Sequence, residues 1–455
     1  MSDIASTARL AKSYANVEDY RRAARRRLPK IAFDYLDRGA EDGRTLARNS
    51  TAYADIHFAP RVLVDVSSVS ANVTLGQFPS RAPMVVGPTG LNGLYWPRAD
   101  EILAAAAAQA GVPFALSSAS TSLLEDVREA APSGELWLQM YINRDRRIAE
   151  HMIARAAEAK FSTLLVTVDT PVHGKRDHDI HNGYRLPLPI TPRLMLDLMH
   201  HPHWALQIAR HGMPKLKNIA RSLGQEADLE KTASSLARQM DLTLTWTDLA
   251  WLRRQWQGPI LVKGIHTVED AQLAHRHGAV GIVLSTHGGR QLESSLAPIE
   301  MLPPVVQAVG KHLDVYIDGG VRRGADIVKA VGLGARAVLL GRAPLYGIAA
   351  HGPAGVAHVL SLLYDEMITT LTLLGCANLD TVSERLLVPT QALTRAPAHA
   401  PTDASMQDAT HSPSQASAHV PMQPAACLSS LTQPPAEPHA LPRIPSTSTA
   451  ESPHL

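Results

Sequence analysis

Eight consecutive residues in the second half of the chain combine the residue types that acid–base chemistry on a carboxylic acid requires. They read Ser285-Thr286-His287-Gly288-Gly289-Arg290-Gln291-Leu292. His287 can accept or release a proton near neutral pH, and Arg290 carries a planar fork of donors that suits a carboxylate. The two glycines leave the backbone bare, so a flat or bulky group can approach it. The pattern predicts a base beside a carboxylate clamp, with a solvated surface loop as the alternative, because short motifs also match by chance.

This octapeptide follows an apolar run of strand length, and eight such runs occur along the chain. They occupy residues 84–87, 114–116, 136–141, 164–169, 260–264, 281–285, 315–320 and 337–342. Most are separated by about 20 to 35 residues with helical patterns between them, which is the repeat of (β/α)8 units. Nearly all end in polar or glycine residues, where α/β proteins place their chemistry. The sequence therefore predicts a (β/α)8 TIM barrel of the α/β class, and a doubly wound sheet is the competing topology.

Three segments depart from this repeat. Residues 17–49 have a helical pattern with Asn16 as a candidate N-cap, and they form a predicted N-terminal helical segment. A long insertion, residues 178–228, follows the fourth strand and exceeds the length of an ordinary connection. Residues 389–455 are rich in Pro, Ala, Ser and Thr and contain no Phe, Tyr, Trp or Lys, so we expect a disordered tail after a folded domain that spans residues 1–388.

Part of the insertion has the composition of a surface-seeking segment. Residues 190–224 contain many leucines and methionines and Trp204, together with an excess of basic over acidic residues. Such a segment can lie in a lipid interface. A lid over the site or a contact between subunits explains the same composition, and the sequence leaves these alternatives open.

The overall composition narrows the classes of protein that remain. The chain has 455 residues and a formal net charge of +2, so its charge balance does not indicate nucleic-acid binding. Its two cysteines, Cys376 and Cys427, lack the spacing of a zinc site, so we predict no metal and expect a reducing compartment. The N-terminus lacks a secretory signal, and no apolar run approaches the ~20 residues that cross a bilayer. We expect a protein on the cytoplasmic side, with peripheral attachment to the inner membrane as a further possibility.

Glycine-rich turns after the last two predicted strands indicate a phosphate site. The turns are Asp318-Gly319-Gly320-Val321-Arg322 and Gly341-Arg342. Glycines expose backbone N–H groups, the arginines add positive charge, and barrels commonly hold a phosphate at these loops. Glycines that only form turns, with solvated arginines beside them, are the alternative.

Lys263, at the end of the fifth strand, would either stabilise negative charge on a flavin ring or be an ion-paired structural lysine. No GxGxxG follows an early strand, which argues against nicotinamide binding of the Rossmann type.

Taken together, the motifs resemble those of the FMN-dependent 2-hydroxy-acid dehydrogenases and oxidases, in order over residues 15–385. The matching pieces are the octapeptide, Leu28-Pro29-Lys30, Asp34-Tyr35, Gly39-Ala40-Glu41-Asp42, Gly87-Pro88-Thr89-Gly90, Gln139-Met140-Tyr141, Thr167-Val168-Asp169-Thr170-Pro171, Leu261-Val262-Lys263-Gly264 and residues 318–324. Residues 87–93, Trp96-Pro97 and 211–214 are most similar to mandelate-oxidising members, and residues 201–204 to the quinone-linked lactate dehydrogenases.

The resemblance implies a reaction and a cofactor. The reaction would be FMN-dependent oxidation of an (S)-2-hydroxy acid, mandelate-like, to the 2-oxo acid, with electrons passed to a membrane quinone-type acceptor. A quinone-linked L-lactate dehydrogenase and a soluble oxidase that uses oxygen are the alternatives within the family. We also expect a homo-oligomer, namely a tetramer. A barrel that binds a flavin or a phosphate for regulation, without catalysis, is the alternative of a different class.

The resemblance also implies roles for the matching residues. His287 would be the base, Asp169 would stabilise its protonated form, and Tyr141 would complete the catalytic set. The substrate would be bound by Tyr20, Tyr141, Arg176, His287 and Arg290, with the arginines on its carboxylate. FMN would contact Pro88, Thr89, Gly90, Ser117, Gln139, Thr167, Lys263 and Ser285, and its phosphate end Asp318, Gly319, Gly320, Val321, Arg322, Gly341 and Arg342.

The chain departs from the family pattern at two positions, and two further positions indicate the size of the substrate side chain. Thr286 stands immediately before the base where the family usually has Asn, and Gly183 stands where an Arg is frequent. Ala119 occupies a site where glycolate oxidases resemble one another in carrying Trp. With Gly90 beside the flavin, small residues here would leave room for a bulky substrate side chain, so we expect mandelate-like acids to be preferred over glycolate.

Overall fold

Eight parallel strands close into a barrel at the centre of the protein. The computed structural model describes residues 9–183, 191–224 and 240–389. The barrel strands, in order around the ring, are β4 (Met84–Val86), β5 (Phe114–Ser117), β6 (Leu136–Met140), β7 (Thr163–Thr167), β8 (Ile260–Ile265), β9 (Gly281–Leu284), β10 (Asp314–Asp318) and β11 (Ala337–Leu340), and β11 pairs with β4 to close it. The predicted (β/α)8 architecture is confirmed, with each strand at its predicted place, and the doubly wound alternative is excluded.

The barrel interior is filled by side chains and is closed at its lower end by a hairpin. One face of each strand contributes to a separate inner cluster, in which Trp137 and Tyr316 meet edge to face with ring centroids 5.7 Å apart. The hairpin of β2 (Val73–Leu75) and β3 (Phe78–Ser80) inserts Leu75 into this cluster at the amino-terminal end of the strands. The packed interior leaves the carboxyl ends of the strands as the place for a cavity.

Helices surround the barrel and form a second, outer core with the opposite faces of the strands. Those that follow barrel strands span Ala99–Ala110, Leu124–Ala130, Arg146–Glu158, Asp248–Gln255, Val268–Arg276, Pro298–Val309, Gly324–Gly332 and Arg342–Leu374. The last is kinked where Gly352 has a φ of +59° and Pro353 follows. Outside the barrel, β1 (Ile56–Phe58) pairs antiparallel with β12 (Leu387–Pro389).

The predicted N-terminal helical segment is confirmed, and it consists of three helices. They span Val17–Arg27, Lys30–Asp37 and Arg44–Ala54, and the predicted cap is confirmed, since Asn16 Oδ1 accepts from the N–H of Asp19 at 3.0 Å. The first break falls at Leu28, which is extended because the following Pro29 disfavours helical geometry before it. The turn after the second helix pairs with the octapeptide, where Ala40 N–H donates to Gly289 at 2.8 Å. The break therefore aims the second helix at the upper rim of the barrel.

The insertion after β7 packs on the same rim. Its described helices span Asp177–His181, Pro192–His200, Pro202–His211 and Lys217–Ser222. Trp204 is buried, and its indole N–H donates to the main-chain carbonyl of Leu94 at 2.7 Å, which ties the insertion to the loop after β4. Residues 184–190 and 225–239, and the predicted tail from residue 390 onward, lie outside the described residues. Within the described ranges, every helix is too short or too polar to cross a bilayer.

Candidate active site

A cavity of about 580 Å³ opens at the carboxyl ends of the barrel strands. Its volume lies in the range of small-molecule sites, about 300–1,000 Å³. Most of the predicted site residues line it, from Pro88 and Thr89 on one side to Arg322 and Arg342 on the other. Three predicted residues do not line it: Ser285 and Asp169, which lie directly behind lining residues, and Tyr20, which lies elsewhere.

His287 stands in the cavity wall with a defined partner on each ring nitrogen. Its Nδ1 lies 2.9 Å from Asp169 Oδ1, and its Nε2 lies 3.4 Å from the hydroxyl of Tyr141. Burial acts to raise the pKa of Asp169, but the charge and hydrogen bond of His287 outweigh it, and the pKa is lowered. Asp169 therefore remains a carboxylate that holds the Nδ1 proton, which directs the Nε2 lone pair toward the cavity.

The backbone at His287 is in the left-handed region, with φ of +55°. A non-glycine residue keeps this conformation only where its surroundings fix it. The N–H of His287 donates to Ser285 Oγ at 2.9 Å, and the N–H of Gly289 donates to the carbonyl of Thr286 at 3.0 Å. These bonds make a tight turn that points the imidazole inward.

Two guanidinium groups lie next to each other beside His287. Arg176 and Arg290 have their central carbons 5.8 and 4.7 Å from the ring centroid of Tyr35. Arg290 Nη1 donates to the carbonyl of Tyr35 at 2.5 Å, and burial, followed by repulsion from Arg176, lowers the pKa of Arg290. Nε of Arg176 is buried without a hydrogen-bond partner among the described residues. Two neighbouring cations with unused donors form a site for an anion such as a carboxylate.

The floor of the cavity carries a buried lysine. Lys263, 5% exposed, places Nζ 2.8 Å from Ser285 Oγ and 2.9 Å from Asp318 Oδ2. Burial acts to lower the pKa of Lys263, but the carboxylates of Asp318 and Asp169 outweigh it and the pKa is raised. Lys263 is therefore ion-paired, as one of the two interpretations predicted, and it also faces the cavity. Its role toward a flavin ring stays a prediction.

A row of polar side chains connects this floor to the opposite wall. Ser117 Oγ donates to Gln139 Oε1 at 2.9 Å, and Gln139 Nε2 donates to Thr167 Oγ1 at 2.8 Å. These residues stand at the carboxyl ends of β5, β6 and β7, which are neighbours in the barrel. The row presents hydrogen-bonding groups along one edge of the cavity. Gly90, bare and close to Ala119, forms part of the adjoining wall.

The far end of the cavity has the features of an anion site. Gly319 and Gly320 have φ of +85° and +82°, and a Cβ on Gly320 would lie 1.8 Å from the carbonyl oxygen of Asn49, so only glycine fits that turn. Gly341 begins the long helix Arg342–Leu374, whose first N–H groups are free to bind an anion. The guanidinium of Arg322 adds positive charge.

Arg342, which the resemblance places at the FMN phosphate, lines the cavity and also binds three main-chain carbonyls. All three of its guanidinium nitrogens donate to main-chain carbonyls, namely those of Leu36 at 2.9 Å, Gly288 at 2.7 Å and Arg38 at 2.9 Å. Burial lowers the pKa of Arg342 to about 10. Arg342 lines the cavity and contributes charge, but its donors join the N-terminal segment to the turn of the base.

Tyr20 is not brought to the cavity, which corrects its predicted role as a substrate ligand. It is fully buried between its own helix and the helix Arg342–Leu374, where its hydroxyl lies 2.7 Å from Nδ1 of His358. Tyr35 takes the position expected of Tyr20, lining the cavity beside both arginines. The sequence contained a signal for this, since Tyr35 lies in the last turn of the short helix Lys30–Asp37, whose direction changes after Pro29.

Sequence reasoning missed several further residues that line the cavity. Among them are His173, Asp179, Leu216 and Met240. Burial, and then the nearby charge of Arg176, lower the pKa of His173, whereas burial raises the pKa of Asp179 despite both arginines. Leu216 belongs to the insertion, so the insertion supplies part of the site. No motif marks these positions, because irregular loops bring them together.

Comparison with known proteins identifies the family. The family model of FMN-dependent dehydrogenases matches residues 24–389. The chain belongs to this family. An (S)-mandelate dehydrogenase of Pseudomonas putida is 45% identical over 82% of this chain and 94% of its own. An L-lactate dehydrogenase of Caulobacter sp. strain K31 is 43% identical over 83% and 99%. A crystal structure of the monotopic membrane protein (S)-mandelate dehydrogenase superposes with a TM-score of 0.80, at 43% identity, over 83% of this chain and 99% of that one. The protein is thus an FMN-dependent 2-hydroxy-acid dehydrogenase.

The cavity of the dehydrogenase fits FMN. FMN joins a phosphate to a flat ring system through a hydroxylated chain. The cavity has an anion-binding turn at one end, which suits the phosphate, and a row of polar side chains along its length, which suits the hydroxylated chain. At the other end, Gly90 and the buried Lys263 leave space for the flat ring system. Asp318 Oδ1 is buried without a hydrogen-bond partner among the described residues, so the floor retains an acceptor for a cofactor. FMN supplies the two-electron acceptor of the reaction when it is bound.

Proposed function

We propose that the dehydrogenase oxidises an (S)-2-hydroxy acid with a bulky, mandelate-like side chain to the 2-oxo acid and passes the electrons to a quinone-type acceptor at a membrane. The observation that carries the proposal is the convergence of His287, Arg176 and Arg290 on one cavity. A base beside two cations matches a substrate that has a hydroxyl group next to a carboxylate. A regulatory barrel without catalysis would not need this arrangement.

In the proposed mechanism, the two arginines and two tyrosines bind and orient the acid. Arg176 and Arg290 take the carboxylate through their unused donors. Tyr35 and Tyr141 donate hydrogen bonds to the carboxylate and the hydroxyl. Burial, with the charge of Asp169 adding to it, raises the pKa of Tyr141, so its hydroxyl stays protonated and able to donate.

His287 removes the proton, and two charged neighbours make that step favourable. Oxidation of the hydroxyl to the oxo group removes two electrons and two hydrogens, and His287 Nε2 takes one of these as a proton. If it takes the hydroxyl proton, the α-hydrogen leaves with the electron pair as a hydride equivalent, and if it takes the α-proton, the hydroxyl proton is lost as the C=O bond forms. Bound FMN would accept the electron pair in either case. The imidazolium that forms is stabilised by Asp169 at 2.9 Å. Lys263 keeps a positive charge at the floor of the cavity, and this charge would stabilise negative charge on FMN when the cofactor is bound.

The walls support a bulky substrate side chain. Ala119 and Gly90 are small, and a Cβ added to Gly90 would lie 3.1 Å from that of Ala119. Leu216, Met240 and Ile180 add an apolar lining on the insertion side. The phenyl ring of mandelate would contact this apolar lining. Glycolate has only a hydrogen atom at the same position and would make no such contact.

Anaerobic bleaching of the flavin spectrum tests the substrate. We expect (S)-mandelate to bleach the holoenzyme and (R)-mandelate not to, with kcat/KM for (S)-mandelate above that for L-lactate and glycolate. Ala119→Trp should lower kcat/KM for (S)-mandelate by at least about tenfold and affect glycolate less, because the indole fills the space of the phenyl ring. A wide preference of the wild type for glycolate would overturn the proposed side chain, and a preference for L-lactate would favour a lactate dehydrogenase.

The insertion supports a docking role at a lipid surface. Met195, Leu196, Met199 and Leu206 are 48 to 67% exposed. Buried contacts on the other side of the insertion, such as that of Trp204 with Leu94, hold these residues outward. Exposed apolar side chains on short helices beside basic residues suit an interface that is apolar inside and anionic at its surface.

Flotation with liposomes of mixed anionic and neutral lipid tests this role. The double variant Met195→Glu/Met199→Glu should lose most of the bound fraction. Leu373→Glu, which replaces an exposed leucine on another helix, should float like the wild type. Equal flotation of all three proteins would argue for a subunit contact, and light scattering would show whether the proposed tetramer depends on the same residues. A high peroxide yield in air would favour the soluble oxidase.

A further inference from the structure

Asn49 lies outside the sets of residues that motifs assign to the active site. It belongs to the helix Arg44–Ala54, is 1% exposed, and does not line the cavity. Its side chain and its main chain nevertheless contact two separate parts of the site. One part is the turn that carries His287, and the other is the Gly319–Gly320 turn at the anion-binding end.

The side chain of Asn49 is bound to the residue before the base. Its Nδ2 donates to Thr286 Oγ1 at 2.8 Å, and the bond is buried. The same Oγ1 lies 3.3 Å from the N–H of Gly289, which also donates to the main-chain carbonyl of Thr286. Thr286 therefore connects Asn49 to both sides of His287, at the position where the family usually has Asn.

The main chain of Asn49 packs against the anion-binding turn. Its carbonyl oxygen would lie 1.8 Å from a Cβ on Gly320, and its Nδ2 would lie 3.3 Å from a Cβ on Gly319. Such close approach leaves no space between the helix and the turn. A shift of Asn49 is therefore transmitted to the turn directly.

The turn of the base needs external support. His287 keeps a φ of +55°, a conformation that a side-chain-bearing residue adopts at a free-energy cost. Inside the barrel, Ser285 holds this turn through Lys263 and Asp318. On the outer side, two side chains reach the turn: Asn49 binds the hydroxyl of Thr286 before the base, and Arg342 donates to the main-chain carbonyl of Gly288 after it.

We propose that Asn49 is a positioning residue that sets the distance between the phosphate-binding turn and the catalytic base through its hydrogen bond to Thr286. A threonine hydroxyl is shorter than an asparagine amide, so Thr286 and Asn49 form a matched pair in this chain. Loss of the bond frees the helix to move relative to the turn of His287. Both FMN affinity and the rate of substrate oxidation then fall, while the arginines that bind the substrate keep their places.

The test compares Thr286→Val, which removes the hydroxyl at nearly constant volume, with Thr286→Ser, which keeps it. We expect Thr286→Val to raise the FMN dissociation constant, measured by flavin fluorescence, and to lower kcat, each by roughly three- to tenfold, the effect of one buried hydrogen bond. KM for the acid should change less than twofold. Thr286→Ser should keep the FMN dissociation constant and kcat close to those of the wild type. Thr163→Val, a buried threonine at the opposite end of the barrel, should leave both within twofold of the wild type.

A double-mutant cycle with Asn49→Ala separates coupling from general damage. If the two residues act through their bond, the effects of Asn49→Ala and Thr286→Val on FMN affinity do not multiply in the double variant. Independent, multiplying effects would overturn the proposal, as would unchanged FMN affinity in Thr286→Val. Should Asn49→Ala fail to fold, the comparison of the valine and serine variants still decides.

Discussion

The two ends of the active-site cavity are built from different parts of the chain. The anion-binding end consists of turns that follow β10 and β11 directly, so its backbone is fixed by the barrel itself. The substrate end is assembled from the N-terminal helices, the octapeptide and the insertion, with Tyr35 and Leu216 reaching in from outside the barrel. Changes in the loops can therefore alter which substrate is bound, while the anion-binding turns keep their conformation because the strands fix them.

The largest expected effect separates chemistry at the substrate end from binding at the other end. His287→Gln should lower the rate of anaerobic flavin reduction by about 10²–10⁴-fold, because the proton acceptor is lost. FMN should remain bound, because the substitution changes the imidazole alone and leaves the residues of the anion-binding turn and the main-chain hydrogen bond of residue 287 in place. Stopped-flow spectra measure the rate, and the visible spectrum of the purified variant measures retention. Reduction at the wild-type rate would mean that another residue is the base.

A substitution at the floor should act on stability as well as on the cofactor. Lys263→Met leaves the carboxylate of Asp318 buried without its partner, which typically lowers the free energy of unfolding by about 3–5 kcal/mol. Urea unfolding of the two proteins measures the difference. Lys311→Met, at an exposed lysine, is the matched control and should change stability by less than about 0.5 kcal/mol. An equally small effect of Lys263→Met would contradict the importance of the pair.

The pair of His287 and Asp169 should add stability that depends on pH. The pKa of Asp169 is lowered in the folded state, so its contribution is fully present above its ordinary value near pH 4 and is lost as the pH falls through the lowered value. The wild type should therefore exceed Asp169→Asn in unfolding free energy by about 1–2 kcal/mol near neutral pH. Urea titrations from about pH 7 down to about pH 3 should show this gap close on acidification. A gap that widens would reverse the sign of the shift.

The smallest effects distinguish two tyrosines that the sequence leaves alike. Tyr35→Phe should raise KM for the acid by roughly three- to tenfold, because one hydrogen bond to the substrate is lost. Tyr20→Phe should leave KM unchanged and lower the free energy of unfolding by about 1 kcal/mol, because it loses only its bond to His358. Steady-state kinetics and urea unfolding measure both variants. A rise in KM for Tyr20→Phe equal to that for Tyr35→Phe would restore the role first predicted for Tyr20.

The contrast between the two ends of the cavity also explains which residues of the site could be predicted from the sequence. Strand positions and glycine turns are local patterns, so the barrel and the anion-binding turns could be predicted from them, whereas the other site residues from Ser117 to Ser285 were implied by the family resemblance. The resemblance also suggested Tyr20 as a substrate ligand, but the redirection at Pro29 brings Tyr35 and not Tyr20 to the cavity. The engagement of Arg342 with three carbonyls depends on how the N-terminal segment folds over the rim, which no motif encodes.

The hairpin of β2 and β3 has a consequence for kinetics. Because Leu75 and the inner cluster fill one end of the barrel in the described structure, we expect the acid, its oxidised product and any small electron acceptor to enter and leave at the other end, where the cavity opens. Shared use of that end favours a ping-pong order, in which the oxo acid departs before the acceptor enters. Parallel double-reciprocal plots for the two substrates would be the kinetic signature of that order.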